Sequence, residues 1–297
     1  MSAIADEAGE SGPFEPIRVL ISLHEGVDGM DVMGPLEVFS IAQHEKQDQS
    51  TKAFRTIFCG PSEFVQAENG AGLRCHMTHE EAMSRLSEGQ PLQLIKAFAE
   101  LQKKSPNRER TLMSVCSGSL FLAETGILSG LSATTHPDYM AKLEIVCSNA
   151  AVRDMSDRCD VIDARYVVNN LRFDLGENED ENPYILTKKE YKRRKSSAGA
   201  ISPIEEKPNG TNGRRLSSAR KGSMSLKMSN NRRESVLKRA NLRLGGLRVL
   251  TTSGITSGID GALYMVGALV SDDAAEEVAR HMCYKWNKGV VVDGTDV

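Results

Sequence analysis

Short apolar runs alternate with amphipathic segments along most of the chain. The apolar runs are rich in β-branched residues, which predicts buried strands at Pro16–Leu23, Phe54–Gly60, Thr111–Val115 and Gly246–Thr252. Helical spacing follows each of them, for example in the segment 91–104, where Leu94, Ile95, Phe98 and Leu101 share one face. This alternation predicts an α/β fold with a doubly wound, mostly parallel sheet and helices on both of its faces.

Turn and cap signals place the ends of several elements. Because proline suits the first turn of a helix, the first helix is predicted to begin near Pro35. Ser271 and Asp272 are candidate caps for the amphipathic helix that closes the chain. The pattern of residues 161–168 predicts a β-hairpin.

Charge divides the chain into two unlike parts. Residues 188–243 hold 17 Lys or Arg against 4 Glu, whereas the remainder holds 20 against 36 acidic residues. The surrounding stretch 173–246 has few large apolar residues and cannot bury enough surface to offset its ordering entropy. This stretch is therefore predicted to be a disordered insert. The N-terminus at 1–15 is also predicted to be disordered. Residues 289–297 are predicted to be a C-terminal tail.

Basic residues precede a serine four times within the insert. A phosphate would cancel much of the local positive charge, and kinases with acidic clefts read such sites. A protein kinase is thus an expected partner, although a loose basic tether gives the same pattern by composition. The four candidate phosphorylation sites are Ser196, Ser217, Ser223 and Ser235.

Composition excludes several classes of protein. The N-terminus lacks a basic start and an apolar core, and no run approaches the roughly 20 apolar residues that a membrane helix needs. The six cysteines are scattered without a Cys-x-x-Cys pair. We therefore expect a cytoplasmic protein, or a nuclear one through the basic insert, with no membrane contact, metal or cofactor. Nucleic-acid binding is not expected, because no aromatic residues interleave with the basic ones.

A cysteine stands where the predicted strand Thr111–Val115 meets a run of small residues. The join Cys116-Ser117-Gly118 suits a sharp strand-to-helix turn that exposes one reactive side chain. The alternative is a buried cysteine that ends a strand, since a free thiol packs as a small hydrophobe. Parallel sheets collect ligand groups at the carboxyl ends of their strands, and Asp31 follows another such end.

Three segments together resemble the ThiJ/PfpI (DJ-one) superfamily, within the class I glutamine amidotransferase-like fold. They are DVMGPLEVF from Asp31, SVCSGSLFLAETGILSGLSATTH from Ser114, and TSGITSGIDGALYMV from Thr252. The isonitrile hydratase-like members are most similar. The resemblance implies one discontinuous domain, 16–172 plus 247–288, that acts on a small-molecule substrate and forms a homodimer.

The resemblance also implies roles for individual residues. Cys116 would be the nucleophile, with its pKa depressed by the helix start, and Asp31 the acid that shares a proton with the sulfur or the substrate. Ser117 would supply an oxyanion donor beside Gly118, while His136 and Thr256 would line the pocket. Alternatives remain: Asp31 as a solvent-facing helix cap, and His136 as a structural histidine. Ser117 replaces the histidine that follows the cysteine in the protease-like branch.

One expected strand is absent from the sequence. Relatives carry an Asp-apolar-apolar-apolar-Pro-Gly-Gly strand before the elbow, which lies inside the sheet and supplies the second oxyanion donor. Here residues 79–102 pass from one helical segment to another, with no apolar strand and no Pro-Gly-Gly. Two hypotheses follow. The chain is a cysteine-dependent, isonitrile hydratase-like lyase, or it is a non-catalytic member, redox-responsive or binding, that is regulated through its insert.

Overall fold

A computed structural model describes residues 15–45, 48, 50–84, 91–170, 185–187 and 243–293. The described strands are β1 Ile17–Ser22, β2 Phe54–Gly60, β3 Phe64–Gln66, β4 Gly72–Arg74, β5 Met77–Thr78, β6 Thr111–Ser114, β7 Ser132–Ala133, β8 Asp160–Val161, β9 Tyr166–Asn170, β10 Ile185–Thr187, β11 Arg248–Thr252 and β12 Gly289–Asp293. The described helices are α1 Gly29–Ile41, α2 His79–Ser84, α3 Pro91–Lys104, α4 Gly118–Glu124, α5 Met140–Asp154, α6 Thr256–Leu269 and α7 Asp272–His281.

Two sheets carry the architecture. A three-stranded parallel sheet has the order β1-β2-β5, and a five-stranded sheet has the order β10-β12-β9-β11-β6. In the larger sheet only the β9–β11 pair is antiparallel. Helices alternate with these strands along the chain, which confirms the predicted α/β class with a mostly parallel sheet.

The sheet is interrupted beside the cysteine strand. β1 is an edge of the smaller sheet and β6 is an edge of the larger one, and neither pairs with another described strand along its outer side. This is the place where an interior strand was predicted to be missing. Side chains of β1 alternate between half-buried and exposed rather than being buried on both faces as in an interior parallel strand.

Helices α1 and α6 hold the two sheets together. Gly34 of α1 lies so close to Ile259 of α6 that an added Cβ would stand 2.8 Å from its Cγ1. Beside Ile259, a Cβ on Gly258 would stand 3.0 Å from Val115 and 3.2 Å from Pro35. Glycine suits both positions because side chains of the neighbouring elements occupy the space that a Cβ would need. The apolar core around Val38 and Leu263 continues from this contact.

Two local predictions were wrong. Helix α1 begins at Gly29, because Asp28 accepts a hydrogen bond from the Met30 amide and caps it, and Pro35 lies inside the helix. The predicted hairpin does not form: β8 pairs in parallel with β7, while β9 pairs with β11 and β12. The apolar residues of β9 are fully buried, and a two-stranded hairpin would leave one of their faces exposed. The Ser271 cap is confirmed, since its hydroxyl accepts from the Ala274 amide.

The sheet extends past the predicted domain boundaries. Residues 289–293, predicted as tail, form β12 between β9 and β10, because its valines are buried and fit an interior strand. Ile185–Thr187, inside the predicted insert, forms the edge strand β10. The rest of the predicted insert up to residue 242, with all four candidate phosphoserines, lies outside the described residues, as do positions 1–14. Across the described ranges, no helix is long and apolar enough to span a membrane.

Candidate active site

Cys116 occupies a strained turn between β6 and α4. Its backbone φ is +53°, in the left-handed region that costs a non-glycine residue about 1–2 kcal/mol. Three hydrogen bonds hold this conformation: the Cys116 amide donates to the carbonyl of Ser253 at 3.0 Å, and its own carbonyl accepts from the hydroxyls of Thr135 at 3.0 Å and Ser119 at 3.2 Å. Strain maintained in this way is typical of functional positions. The predicted elbow is therefore present in the structure.

Asp31 reaches the cysteine from the first turn of α1. The Cys116 thiol and the backbone N–H of Ile255 both face its carboxyl group within hydrogen-bonding range. One oxygen, Oδ1, is buried, and no group in the described residues donates to it. The cap of α1 is Asp28, not Asp31. The structure thus places Asp31 against the sulfur, with one buried carboxylate oxygen that no described group donates to.

The surroundings of Cys116 oppose ionisation of its thiol. Burial, followed by the negative charge of Asp31, raises the pKa of Cys116 to about 11, against the opposing effect of the Ser117 amide that faces the sulfur. Burial also raises the pKa of Asp31, with a further contribution from Asp28, whereas the contact with Cys116 lowers it. At neutral pH the Cys116 side chain is therefore a thiol that faces the Asp31 carboxyl group. The expectation of a depressed thiol pKa was wrong, because the helix start is outweighed by burial and by the adjacent carboxylate.

The described residues offer little for a second oxyanion donor. The Ser117 amide faces the Cys116 sulfur, as an oxyanion donor at an elbow must. The Gly118 amide instead donates to the carbonyl of Val115 at 2.9 Å, so it is occupied by the turn itself. No described strand supplies the Pro-Gly-Gly donor. The Ser117 amide is therefore the one oxyanion donor identified at this site among the described residues.

His136 lies at the edge of the site. Its Nδ1 accepts from the Asp138 amide at 3.3 Å and stands 3.6 Å from the Asp138 carboxylate, and its side chain is 33% exposed. The ring covers Gly254, where an added Cβ would overlap it. His136 is near enough to Asp31 for its charge to lower the pKa of that carboxyl group. The structure thus brings His136 into the surroundings of Asp31.

Thr256 belongs to a polar network at the start of α6. Its hydroxyl accepts from Arg165 at 3.0 Å, and its carbonyl accepts from the hydroxyl of Tyr284 at 3.1 Å. Arg165 also forms an ion pair with the fully buried Asp260. This network fixes the turn that carries Ile255, whose backbone φ is +27°. Thr256 therefore holds the turn that presents an amide to Asp31.

Sequence reasoning did not identify several residues that surround the candidate active site. Arg165, Asp260 and Tyr284 gave no local signal, because they lie 24 to 119 positions apart. Exposed apolar side chains also stand on the elements that meet here; they are Met30, Phe121, Tyr139 and Ile255. The Phe121 ring lies 5.6 Å from that of His24, which follows β1. Among the described residues, no group of three His, Cys, Asp or Glu side chains is arranged to hold a metal ion.

Fold and site together define a class. The chain is an α/β protein of the class I glutamine amidotransferase-like fold. It has a cysteine on a strained strand-to-helix turn and a carboxylic acid brought to it by the first helix. The model of the DJ-1/PfpI family matches residues 17–171. The chain belongs to the DJ-1/PfpI family. A search of curated proteins found no match.

Solved structures share the fold at low sequence identity. An AraC family transcriptional regulator from Pseudomonas putida is 12% identical with a TM-score of 0.50, covering 90% of this chain and 100% of its own. A ThiJ/PfpI family protein from Pseudomonas syringae is 14% identical with a TM-score of 0.48, covering 96% and 82%. DJ-1beta from Drosophila melanogaster is 12% identical with a TM-score of 0.47, covering 92% and 100%.

Proposed function

We propose that this chain is a cysteine-dependent enzyme that hydrates a small isocyanide to the corresponding N-substituted formamide. The observation that carries the proposal is the Cys116 thiol, held on the strained elbow with its proton directed to the Asp31 carboxylate. A thiol whose pKa is about 11 is almost wholly protonated at neutral pH, so it needs a base during attack. Asp31 supplies that base, and burial makes it a stronger one.

In this reaction the proton of the thiol is transferred to the substrate. As the sulfur bonds to the isocyanide carbon, Asp31 takes the thiol proton and returns it to that same carbon, giving a thioimidate on Cys116. Water then adds to the thioimidate carbon, the carbon–sulfur bond breaks, and the formamide leaves while the thiol regains a proton. The net reaction adds one water to the isocyanide, and no oxidant or cofactor is consumed.

The backbone donors favour this reaction over acyl transfer. An ester or amide develops negative charge on oxygen, and loss of one oxyanion donor costs about a hundred- to a thousandfold in rate. Attack on an isocyanide develops charge on carbon, which the Asp31 proton neutralises. The apolar side chains Met30, Phe121 and Ile255 suit the hydrocarbon part of such a substrate.

Formamide production tests the proposal directly. The full chain is incubated with an alkyl isocyanide at pH 7, and the N-alkyl formamide is quantified by mass spectrometry. Cys116→Ala should abolish turnover, and Asp31→Asn should lower it by about a hundredfold or more. Cys283→Ala, which removes an exposed cysteine outside the site, should leave turnover unchanged. If the folded protein forms no formamide while Cys116 remains open to alkylation, the proposal is wrong.

One observation favours the non-catalytic alternative. The interrupted sheet leaves β1 and β6 without the strand that would buttress the elbow. In that case the chain binds a small molecule at Cys116 without turnover, and its regulation by phosphorylation of the insert stays a proposal. A sensor role for Cys116 itself is disfavoured, because oxidation needs thiolate character and its pKa is raised. Saturable isocyanide binding that protects Cys116 from alkylation, with no formamide released, would identify this case.

A further inference from the structure

Two further thiols lie in the apolar cluster that packs α5 against α4. Cys147 is buried on the third turn of α5, and Cys159 lies just before β8, half-buried at the rim of the same apolar cluster. The two thiols share a hydrogen bond. Neither residue has a role in the site around Cys116. This pair is called the α5 dithiol below.

The backbone around the α5 dithiol is held on both sides. The Gly130 amide donates to the carbonyl of Asp157 at 3.2 Å, and the Asp160 amide donates to the carbonyl of Leu131 at 2.9 Å, so Cys159 is fixed between two anchors. Cys147 is fixed by helix α5, where its neighbour Leu143 is fully buried. The two thiols are hydrogen-bonding neighbours on anchored segments, so a disulfide would join groups that the fold already holds side by side.

The surroundings favour ionisation of the pair. Arg243 lies beside Cys159 and Asp157, and its guanidinium donates to the carbonyl of Gly126 at 3.0 Å. A neighbouring guanidinium stabilises thiolate at Cys159, the more exposed member of the pair. The shared hydrogen bond lowers the pKa of the Cys147 thiol against the effect of burial, so the pair as a whole loses its first proton more readily. The guanidinium beside Cys159 favours Cys159 as the sulfur that carries the charge, with the remaining proton on Cys147.

We propose that the α5 dithiol is a redox site, oxidised reversibly by hydrogen peroxide to a Cys147–Cys159 disulfide. The Cys159 thiolate attacks one peroxide oxygen, the oxygen–oxygen bond breaks, and Cys159 becomes a sulfenic acid with release of hydroxide. Cys147 sulfur then attacks the Cys159 sulfur, and the sulfenic oxygen leaves as water. Two thiols lose two protons and two electrons, and one peroxide is reduced to two waters.

Peptide mapping tests the proposal, because trypsin separates the two cysteines. Cleavage leaves Cys147 on LEIVCSNAAVR, residues 143–153, and Cys159 on CDVIDAR, residues 159–165. The folded full chain carrying Cys116→Ala is treated with peroxide at pH 7, blocked with N-ethylmaleimide and digested without reductant. We expect the two peptides to appear joined, two hydrogens lighter than their sum, and to separate after dithiothreitol.

Matched controls come from the other cysteines and from Arg243. Cys59 and Cys75 are also buried neighbours, but burial raises the pKa of both thiols, so they should stay reduced under the same treatment. Cys159→Ser should leave Cys147 unmodified. Arg243→Gln should slow formation of the link about three- to fivefold, the effect of removing one nearby charge at a partly exposed site.

Three outcomes would overturn the proposal. In the first, Cys147 and Cys159 stay reduced while the exposed Cys283 is oxidised. In the second, Cys159 advances to sulfonic acid with no linked peptide. In the third, the link forms only in urea or only between two chains on a non-reducing gel. The proposal does not depend on isocyanide chemistry, because the assay is performed without Cys116.

Discussion

Replacing Asp31 by Asn should make Cys116 more reactive toward an alkylating agent while it removes turnover. The carboxylate is one of the groups that raise the pKa of the thiol, through its charge and through the hydrogen bond it accepts. Asparagine keeps the size of the side chain but carries no charge. The pKa of Cys116 should therefore fall, and more of the sulfur should be thiolate at any pH below about 11.

The size of the effect follows from the contact between the two groups. Unit charges about 4 Å apart interact by about 1 kcal/mol in water and about 4 kcal/mol near a protein surface, and 1 kcal/mol alone raises the thiolate fraction about fivefold. A less basic thiolate is also a weaker nucleophile, which removes about half of the gain on a logarithmic scale. We expect Asp31→Asn to alkylate about two- to thirtyfold faster than the parent chain at pH 8.

The assay is iodoacetamide labelling of folded protein against pH, with each cysteine followed by mass spectrometry. In the parent chain the Cys116 rate should rise with pH toward an apparent pKa of about 11, since the raised pKa keeps the thiol protonated at lower pH. In Asp31→Asn the whole profile should move to lower pH. Cys283, exposed and outside the site, serves as the internal reference. Unchanged or slower labelling in the variant, or a parent pKa below neutrality, would refute the reasoning.

Three further predictions concern stability, measured by urea unfolding. Asp260→Asn should cost about 3 kcal/mol, because it leaves a guanidinium without its buried partner, whereas Glu277→Gln at a surface pair should change nothing measurable. Gly34→Ala should cost about 1–2 kcal/mol by pushing α1 from α6, while Gly72→Ala meets open space and should be neutral. Cys116→Gly should be about 1 kcal/mol more stable than Cys116→Ala, because glycine accepts a φ of +53° without strain. If the two variants of any comparison are equally stable, the structural reason given for that comparison is wrong.

Local patterns in the sequence predicted the framework of the fold. The strand and glycine turn around Cys116 are encoded within ten residues, so the elbow could be placed from the sequence. The start of α1 could not be placed from Pro35, because the Asp28 cap outweighs the preference of proline for a first turn. The run of three valines at 290–292 is too short to predict a strand. Its place in the sheet follows from its burial between β9 and β10.

The chemistry of the site depended on contacts that no local pattern contains. The sign of the Cys116 pKa shift follows from burial and from a carboxylate 85 positions earlier in the chain, and neither can be read from the elbow sequence. The contact within the α5 dithiol also could not be predicted from a local pattern. Cys147 lies on α5 and Cys159 lies just before β8, and their spacing matches no redox motif. Their contact arises because the segment before β8 folds back along α5.

Because the sheet is interrupted, the two key residues of the candidate site belong to elements of different sheets. Asp31 belongs to the helix that follows one sheet, and Cys116 to the strand that ends the other, so no ladder of backbone hydrogen bonds sets the distance between them. That distance depends on how α1 seats against α6 through Gly34 and Gly258. A slide of one helix along the other by a fraction of a turn would part the acid from the sulfur while both sheets stayed whole. If Asp31 and Cys116 act as proposed, proton transfer between them depends on the fit between these two helices, which a bound molecule or added bulk at the glycines can tighten or loosen.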